Sequence, residues 1–316
     1  MQNKLCAVIV VFAALGVSIA QEPPSCCPET KTEKQQLLWQ KLQAQVQETD
    51  KGLDGVMGVS ILDLSSGEAI LWHADEVFAQ ASSIKIAVLA ELYRQAAEGK
   101  LKLTEIYTVR KSDMVQDGDI YNGLTPGTTQ VTLRDLATMM IAASDNSATN
   151  VLIERVGMEN VNTTLRGLGL KSTLLRRKMM DVKAAADGRE NISTPREMMT
   201  LLQALYAGKL FGGELKDDFF TMLATHKDSP IRRAIPEEIG SADKPGELEA
   251  IRNDSGIVFA TNRPFVICVM TGYLRHEPDG DAAITKVTNA AYSYFDRIGK
   301  ATAYGRVVST RNSATP

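Results

Sequence analysis

The chain has 316 residues, 44% of them hydrophobic and 23% charged, which is ordinary globular composition with material for a sizeable core. Its net charge is −3 and its basic residues form no long run, so nucleic acid and anionic membrane surfaces are poor default partners. The three histidines, His73, His226 and His276, are too scattered for metal-ligand spacing, and nothing in the sequence calls for a metal or a cofactor.

In chain order, residues 1–20 come first and differ in character. Lys4 is their only charge, Cys6 to Val17 is a short apolar run, and Ser18-Ile19-Ala20 puts small residues at −3 and −1. This pattern predicts a secretory signal cleaved after Ala20 and a secreted or periplasmic protein. The alternative of an anchoring helix suffers from an apolar run that is short for a bilayer, so no stable membrane span is expected after cleavage. Cys26 and Cys27 follow Pro23-Pro24-Ser25, which is not the apolar-small approach of a lipid anchor. Cleavage leaves those two and Cys268, an odd count that implies a free thiol or an intermolecular bridge. Cys268 sits in the apolar run Phe265 to Met270 and reads as a small buried hydrophobe.

A flexible leader at 21–32 precedes the body, which is expected to run from 33 to 300 as a monomer, with a tail at 301–316. From Glu33 to about Asp50, apolar residues at helical spacing predict an amphipathic helix. Val56 to Leu64 and Glu68 to His73 flank Ser65-Ser66-Gly67, a hairpin signal. Helices follow over Ser82 to Glu98, Thr132 to Ala142, Ser147 to Val156 and Pro195 to Tyr206, the last opened by Thr194 and Pro195. Ala250 to Ala260 and Pro264 to Tyr273 form a second strand pair, and Asp281 to Gly299 is the closing helix. Strands at both ends with helices between them predict an α+β fold whose antiparallel sheet is built from both chain ends, beside a mostly helical lobe.

Three short segments carry chemistry. Ser82 and Lys85, three apart on a helix, share a face, so the amine can take the proton of a hydroxyl that is otherwise a poor nucleophile. Ser241 and Lys244 repeat the spacing, but among Gly, Asp and Pro, which is turn chemistry. Only the first opens an apolar helix, whose N-terminus favours developing negative charge. Ser144-Asp145-Asn146 lies at a helix break, where it could relay a proton and hold an amide, or simply cap the next helix. Lys244-Pro245-Gly246 could offer a cation to a carboxylate beside a glycine that permits close approach, or be an ordinary charged turn.

In this order the three segments resemble Ser-x-x-Lys, Ser-Asp-Asn and Lys-Thr-Gly of the serine β-lactamase and penicillin-binding superfamily, class A β-lactamases above all. Phe78, Leu133-Arg134-Asp135-Leu136 and the block from Ser144 to Asn150 add to the resemblance, which spans about 33 to 299. It implies an acyl-enzyme on Ser82 with Lys85 as general base, acting directly or through water. Ser144 would pass a proton to the leaving nitrogen, Asn146 would hold the substrate amide, and Lys244 beside Gly246 would attract its carboxylate. The backbone N–H groups of Ser82 and Glu247 would form the oxyanion hole.

Two departures stand out. Pro245 replaces a hydroxyl residue, removing a donor and a backbone N–H, which Arg252 could compensate through a two-pronged grip or leave uncompensated as a surface strand charge. The loop from Arg176 to Asn191 lacks the Glu-Pro of class A, and Lys178 falls where the water-activating glutamate would be. Asp181 is the substitute base the sequence offers, while Glu190 suits an ion pair with Arg176 or Arg177. The expected activity is β-lactam hydrolysis. The alternatives are a D-alanyl-D-alanine peptidase acting on peptidoglycan-like substrates, or a non-catalytic binder of lactams or wall fragments.

Overall fold

The computed structural model describes residues 31–302 and 304–307. The predicted export signal, most of the leader with Cys26 and Cys27, and the end of the tail lie outside them.

Helix α1 (Glu33–Lys51) starts where Thr32 and Gln35 close a capping box, satisfying two otherwise orphaned amides. Its stripe of Trp39, Leu42 and Val46 is buried against the sheet. Strands β1 (Val56–Asp63) and β2 (Ala69–Trp72) form the predicted hairpin, with Gly67 at φ +77° in its turn. The short β3 (Phe78–Ala79) leads into a 3-10 turn over Ala81–Ile84, and only then does α2 (Lys85–Ala97) begin.

The helical lobe is built from α2, α3 (Leu133–Ala142), α4 (Asn146–Val156), α5 (Met158–Gly167), the short α6 (Val182–Ala186), α7 (Pro195–Tyr206) and α8 (Gly213–Leu223). Two small ribbons serve it: β4 (Ile106–Thr108) pairs with β5 (Gln130–Thr132), and β3 pairs with β6 (Ile192–Ser193). A further short helix, α9 (Pro230–Arg233), precedes β7 (Ser241–Leu248), β8 (Ile251–Val258), β9 (Phe265–Gly272) and the closing α10 (Glu277–Lys300). The main sheet runs β2-β1-β9-β8-β7, with every neighbouring pair antiparallel. Strands β1 and β9 pair within it, so both ends of the body meet in one sheet, as the α+β reading expects.

Burial explains which sequence signals held. All eight positions of β9 are buried, because α1 and α10 cover one face of the sheet and α7 packs on the other. Such a strand reads as a continuous apolar run rather than an alternation, and Cys268 is one of its buried residues, unbridged. Phe265 stacks on Phe295 of α10 at 4.3 Å, and burying such a ring contributes about 1.5–3 kcal/mol. One reading is corrected: Ser241 to Lys244, taken for a turn, begins β7. This strand lies at the sheet's edge, where a proline such as Pro245 is tolerated because one side of the strand needs no ladder bond. Among the described residues no helix is long and apolar enough to cross a membrane.

Candidate active site

Ser82 stands in the 3-10 turn that joins β3 to α2, one residue after Ala81, whose φ of +49° is unusual for a residue with a side chain. The turn is tied to the sheet from several sides. Ser83 Oγ donates to the Lys244 carbonyl at 3.0 Å, and Asn253 Nδ2 donates to the Ala79 carbonyl at 2.7 Å. One helical turn on, Lys85 is buried.

The second segment divides its labour. Asp145 is fully buried and caps α4 through Ala148 N at 2.8 Å, while its other oxygen accepts from Ile120 N and Tyr121 N at 3.0 and 2.8 Å. The cap reading therefore holds for Asp145, and its two neighbours face the serine. Ser144, at φ +56°, places its Oγ 2.9 Å from Ser82 Oγ. Lys85 Nζ lies 3.0 Å from Ser144 Oγ, 2.5 Å from the Ser144 carbonyl and 2.9 Å from Asn146 Oδ1. The amine is thus anchored on Ser144 and Asn146, and its recorded path to Ser82 runs through the Ser144 hydroxyl.

Electrostatics favour the neutral amine. Burial, then the nearby Lys244, holds Lys85 well below the ordinary lysine range, against the opposing pull of Asp145 and Asp117. A neutral amine keeps two N–H donors and one lone pair. In the structure Lys85 Nζ donates to all three neighbours, and Ser144 Oγ donates on to Ser82 Oγ. In the neutral amine the Ser144 carbonyl and Asn146 Oδ1, which can only accept, would keep the two N–H donors, and the lone pair would face the Ser144 hydroxyl. Lys244 is buried on β7 and donates to the Pro245 carbonyl at 3.0 Å. Burial and the charge of Lys227 lower it to about 8, although Asp254, Asp243 and Glu247 pull the other way.

Gly246 has a packing reason beyond the room it leaves for substrate. A Cβ there would stand 2.6 Å from the Gln80 carbonyl oxygen and 2.8 Å from Ser83 N, so β7 can approach the serine turn only as glycine. Gly246→Ala is expected to destabilise the fold by about 1–3 kcal/mol and, by displacing Ser82, to slow acylation by about 10²-fold. Thermal melting together with penicillin-labelling rates checks both.

Ser82, Ser144, Asn146, Lys244 and Glu247 line one cavity of about 340 Å³. A larger cavity of about 750 Å³, between α1 and α10, holds none of these groups. A family model described as the β-lactamase enzyme family matches residues 38–295. The chain belongs to this family. An imipenem-hydrolyzing β-lactamase of Enterobacter cloacae is 30% identical over 237 residues, 71% of this chain and 78% of that protein. The solved β-lactamase from Sphaerobacter thermophilus superposes with a TM-score of 0.74 at 31% identity, covering 80% of this chain and 96% of the other. The structure of PBP-A superposes with a TM-score of 0.73 at 25% identity, covering 81% and 96%. A mutant of PBP-A was solved as an acyl-enzyme complex with penicillin G.

Within this β-lactamase family member, Lys85 and Gly246 are not among the residues lining the cavity, and Lys85 is linked to it through Ser144. Two further residues singled out in the sequence stand apart from it altogether. Asp181 is exposed and caps α6, its Oδ1 accepting from Ala184 N at 2.9 Å. Arg252 points along the β7–β8 turn, donating to the Leu248 and Ile251 carbonyls at 2.9 and 2.7 Å and facing Asp281 of α10 at 3.7 Å. A local backbone N–H donor captures Asp181 and local carbonyl acceptors capture Arg252 before either can reach a substrate. In the same loop Glu190 pairs with Arg177 at 2.8 Å, and Lys178 pairs with Glu154. Four charged cavity residues escaped the sequence reading: Asp117, Asp119, Lys227 and Asp228. No motif marks them, because separate loops carry them into the site.

Proposed function

We propose that this chain is a serine β-lactam hydrolase of class A type, exported and monomeric, which works through an acyl-enzyme on Ser82. The observation that carries the reading is the hydrogen-bonded sequence Ser82–Ser144–Lys85, whose two serines line the cavity that Lys244 also lines. Neutral Lys85 accepts the Ser144 proton while Ser144 takes that of Ser82, and the freed alkoxide attacks the lactam carbonyl. Reversal of the relay delivers the proton from Ser144 to the leaving nitrogen. Asn146, whose Oδ1 is engaged by Lys85, keeps its amide N–H₂ for a substrate carbonyl, and the Ser82 and Glu247 N–H groups would receive the oxyanion. No metal or cofactor enters the scheme.

Deacylation is the weaker half of the cycle. The loop from 176 to 191 sends no carboxylate among the described residues into the cavity, so the adduct is expected to decay slowly. Asp181→Asn keeps a good helix cap and is expected to change the decay of the penicillin adduct by less than about twofold; a several-fold longer adduct lifetime would restore Asp181 as the water-activating base. The same observation favours a second reading, a D-alanyl-D-alanine peptidase that penicillin traps. A time course of purified protein with nitrocefin or penicillin, following product and intact mass together, separates the two. Continued release of product, even through an adduct that accumulates, supports the hydrolase, a lasting adduct without turnover supports the peptidase, and neither product nor adduct overturns both.

A further inference from the structure

The cavity of about 750 Å³ plays no part in acyl transfer, yet its size is that of a site for one small organic molecule. It is a trough along α10, bounded by α1 on one side and by the end of α9 on the other. Its α10 wall recurs every four residues, at Asp281, Thr285, Asn289, Ser293 and Arg297, so it is a single helical face. Sixteen residues at 1.5 Å each make that face about 24 Å long. Leu38, Lys41, Leu42 and Gln45 are the matching face of α1. Buried Leu42 and Tyr294 give the trough an apolar floor, and small Ala234, Ala282 and Ala290 leave it open.

The charge around it has one sign. Lys41, Arg233, Lys286 and Arg297 line the trough against a single carboxylate, Asp281. That acid is already answered, by Arg233 at 4.0 Å and Arg252 at 3.7 Å, and Arg233 is further paired with Asp228 at 2.5 Å. Lys41, Lys286 and Arg297 are exposed and have no ion pair or side-chain hydrogen bond among the described residues. A chain of net charge −3 thus sets three unanswered cations around one apolar trough. An anionic headgroup relieves their repulsion, and an attached alkyl chain takes the floor out of water. A second copy of this chain would bring like charges face to face in a symmetric pair. The plane of a bilayer does not enter a concave trough, whereas one acyl chain does.

We propose that the trough between α1 and α10 binds one free amphipathic carboxylate of the fatty-acid kind, its headgroup met by the rim cations and its chain laid along α10. The inference does not depend on the acyl-transfer reading. The test is calorimetric titration of the full chain with laurate, at low salt and below its micelle range. A Kd of about 10–100 µM is expected. Hexanoate, six methylenes shorter, is expected to bind at least about 10²-fold more weakly. The double variant Lys286→Gln/Arg297→Gln is expected to lose about tenfold or more in affinity, and Lys286→Arg/Arg297→Lys to keep it. Should the neutral variant fail to fold, tryptophan emission locates the ligand instead. Trp39 lies 5.2 Å from Tyr294 of the floor, and Trp72→Phe leaves Trp39 as the one tryptophan, whose emission laurate should still change.

Absence of laurate binding overturns the proposal. So does an affinity unchanged in the neutral double variant, which would place laurate elsewhere, the catalytic cavity included. Equal binding of dodecyltrimethylammonium, a cation on the same chain, would reduce the trough to an apolar surface without selection for charge. A dimer in sedimentation that the neutral variant dissolves would give the trough to a second copy and overturn the proposal as well.

Discussion

Ser82→Ala is expected to yield a folded protein that takes up no penicillin, with hydrolysis reduced by about 10⁴-fold or more. The fold should survive because the change deletes one oxygen whose recorded contact is the Ser144 hydroxyl. That hydroxyl retains Lys85 as a partner, so no buried polar group is orphaned. The turn itself is held by groups other than the Ser82 side chain: Ser83 bonded to the Lys244 carbonyl, and Asn253 bonded to Ala79. Intact-mass spectrometry after incubation with penicillin reads the outcome directly. A full adduct on the variant would move the nucleophile elsewhere and remove the proposed mechanism, whereas loss of adduct with an unchanged melting temperature would tie the chemistry to one atom.

How much of this could be read from the residues alone depended on whether the signal was local. The capped starts of α1, α3 and α7 are written in Thr32, Thr132 and Thr194 with their partners three residues on, and the helices begin there. The buried run of β9 gives its burial away through composition. Ser82, Lys85, Ser144, Asn146 and Lys244 stand out because each belongs to a short motif, and the fold gathers them. What failed was whatever depends on competition for a side chain in three dimensions. Asp181 and Arg252 are suitable residue types in suitable neighbourhoods, yet a backbone amide of α6 claims one and carbonyls of the β7–β8 turn claim the other. Conversely, Lys227 has no motif, and only the packing of the α8–α9 segment against β7 makes it part of the cavity. The sheet edge hid β7 for a related reason: a strand with one free edge can contain Pro and Gly and therefore reads as a turn.

Lys85→Gln is expected to slow acylation by about 10²–10⁴-fold, the usual contribution of a positioned general base. Glutamine retains a donor for the Ser144 carbonyl but has no lone pair able to hold a proton near neutrality, so it separates anchoring from proton transfer. The pH profile is the sharper readout. Because burial and Lys244 hold Lys85 low, wild-type acylation should rise as pH increases through its depressed value, where the working neutral amine forms. It should fall again above about 8, as Lys244 loses the charge that holds the substrate carboxylate. In Lys85→Gln the rising limb should vanish while the falling limb remains, since the glutamine does not titrate and Lys244 still does. A variant that kept the rising limb would assign it to another group and leave Lys85 a merely structural amine. A falling limb that disappeared with the methyl ester would identify the alkaline loss with carboxylate binding. The two lysines would then have opposite duties in one field, Lys85 needed without its proton and Lys244 needed with it. Their mutual repulsion favours that division, because charge retained on Lys244 makes it easier for Lys85 to stay neutral.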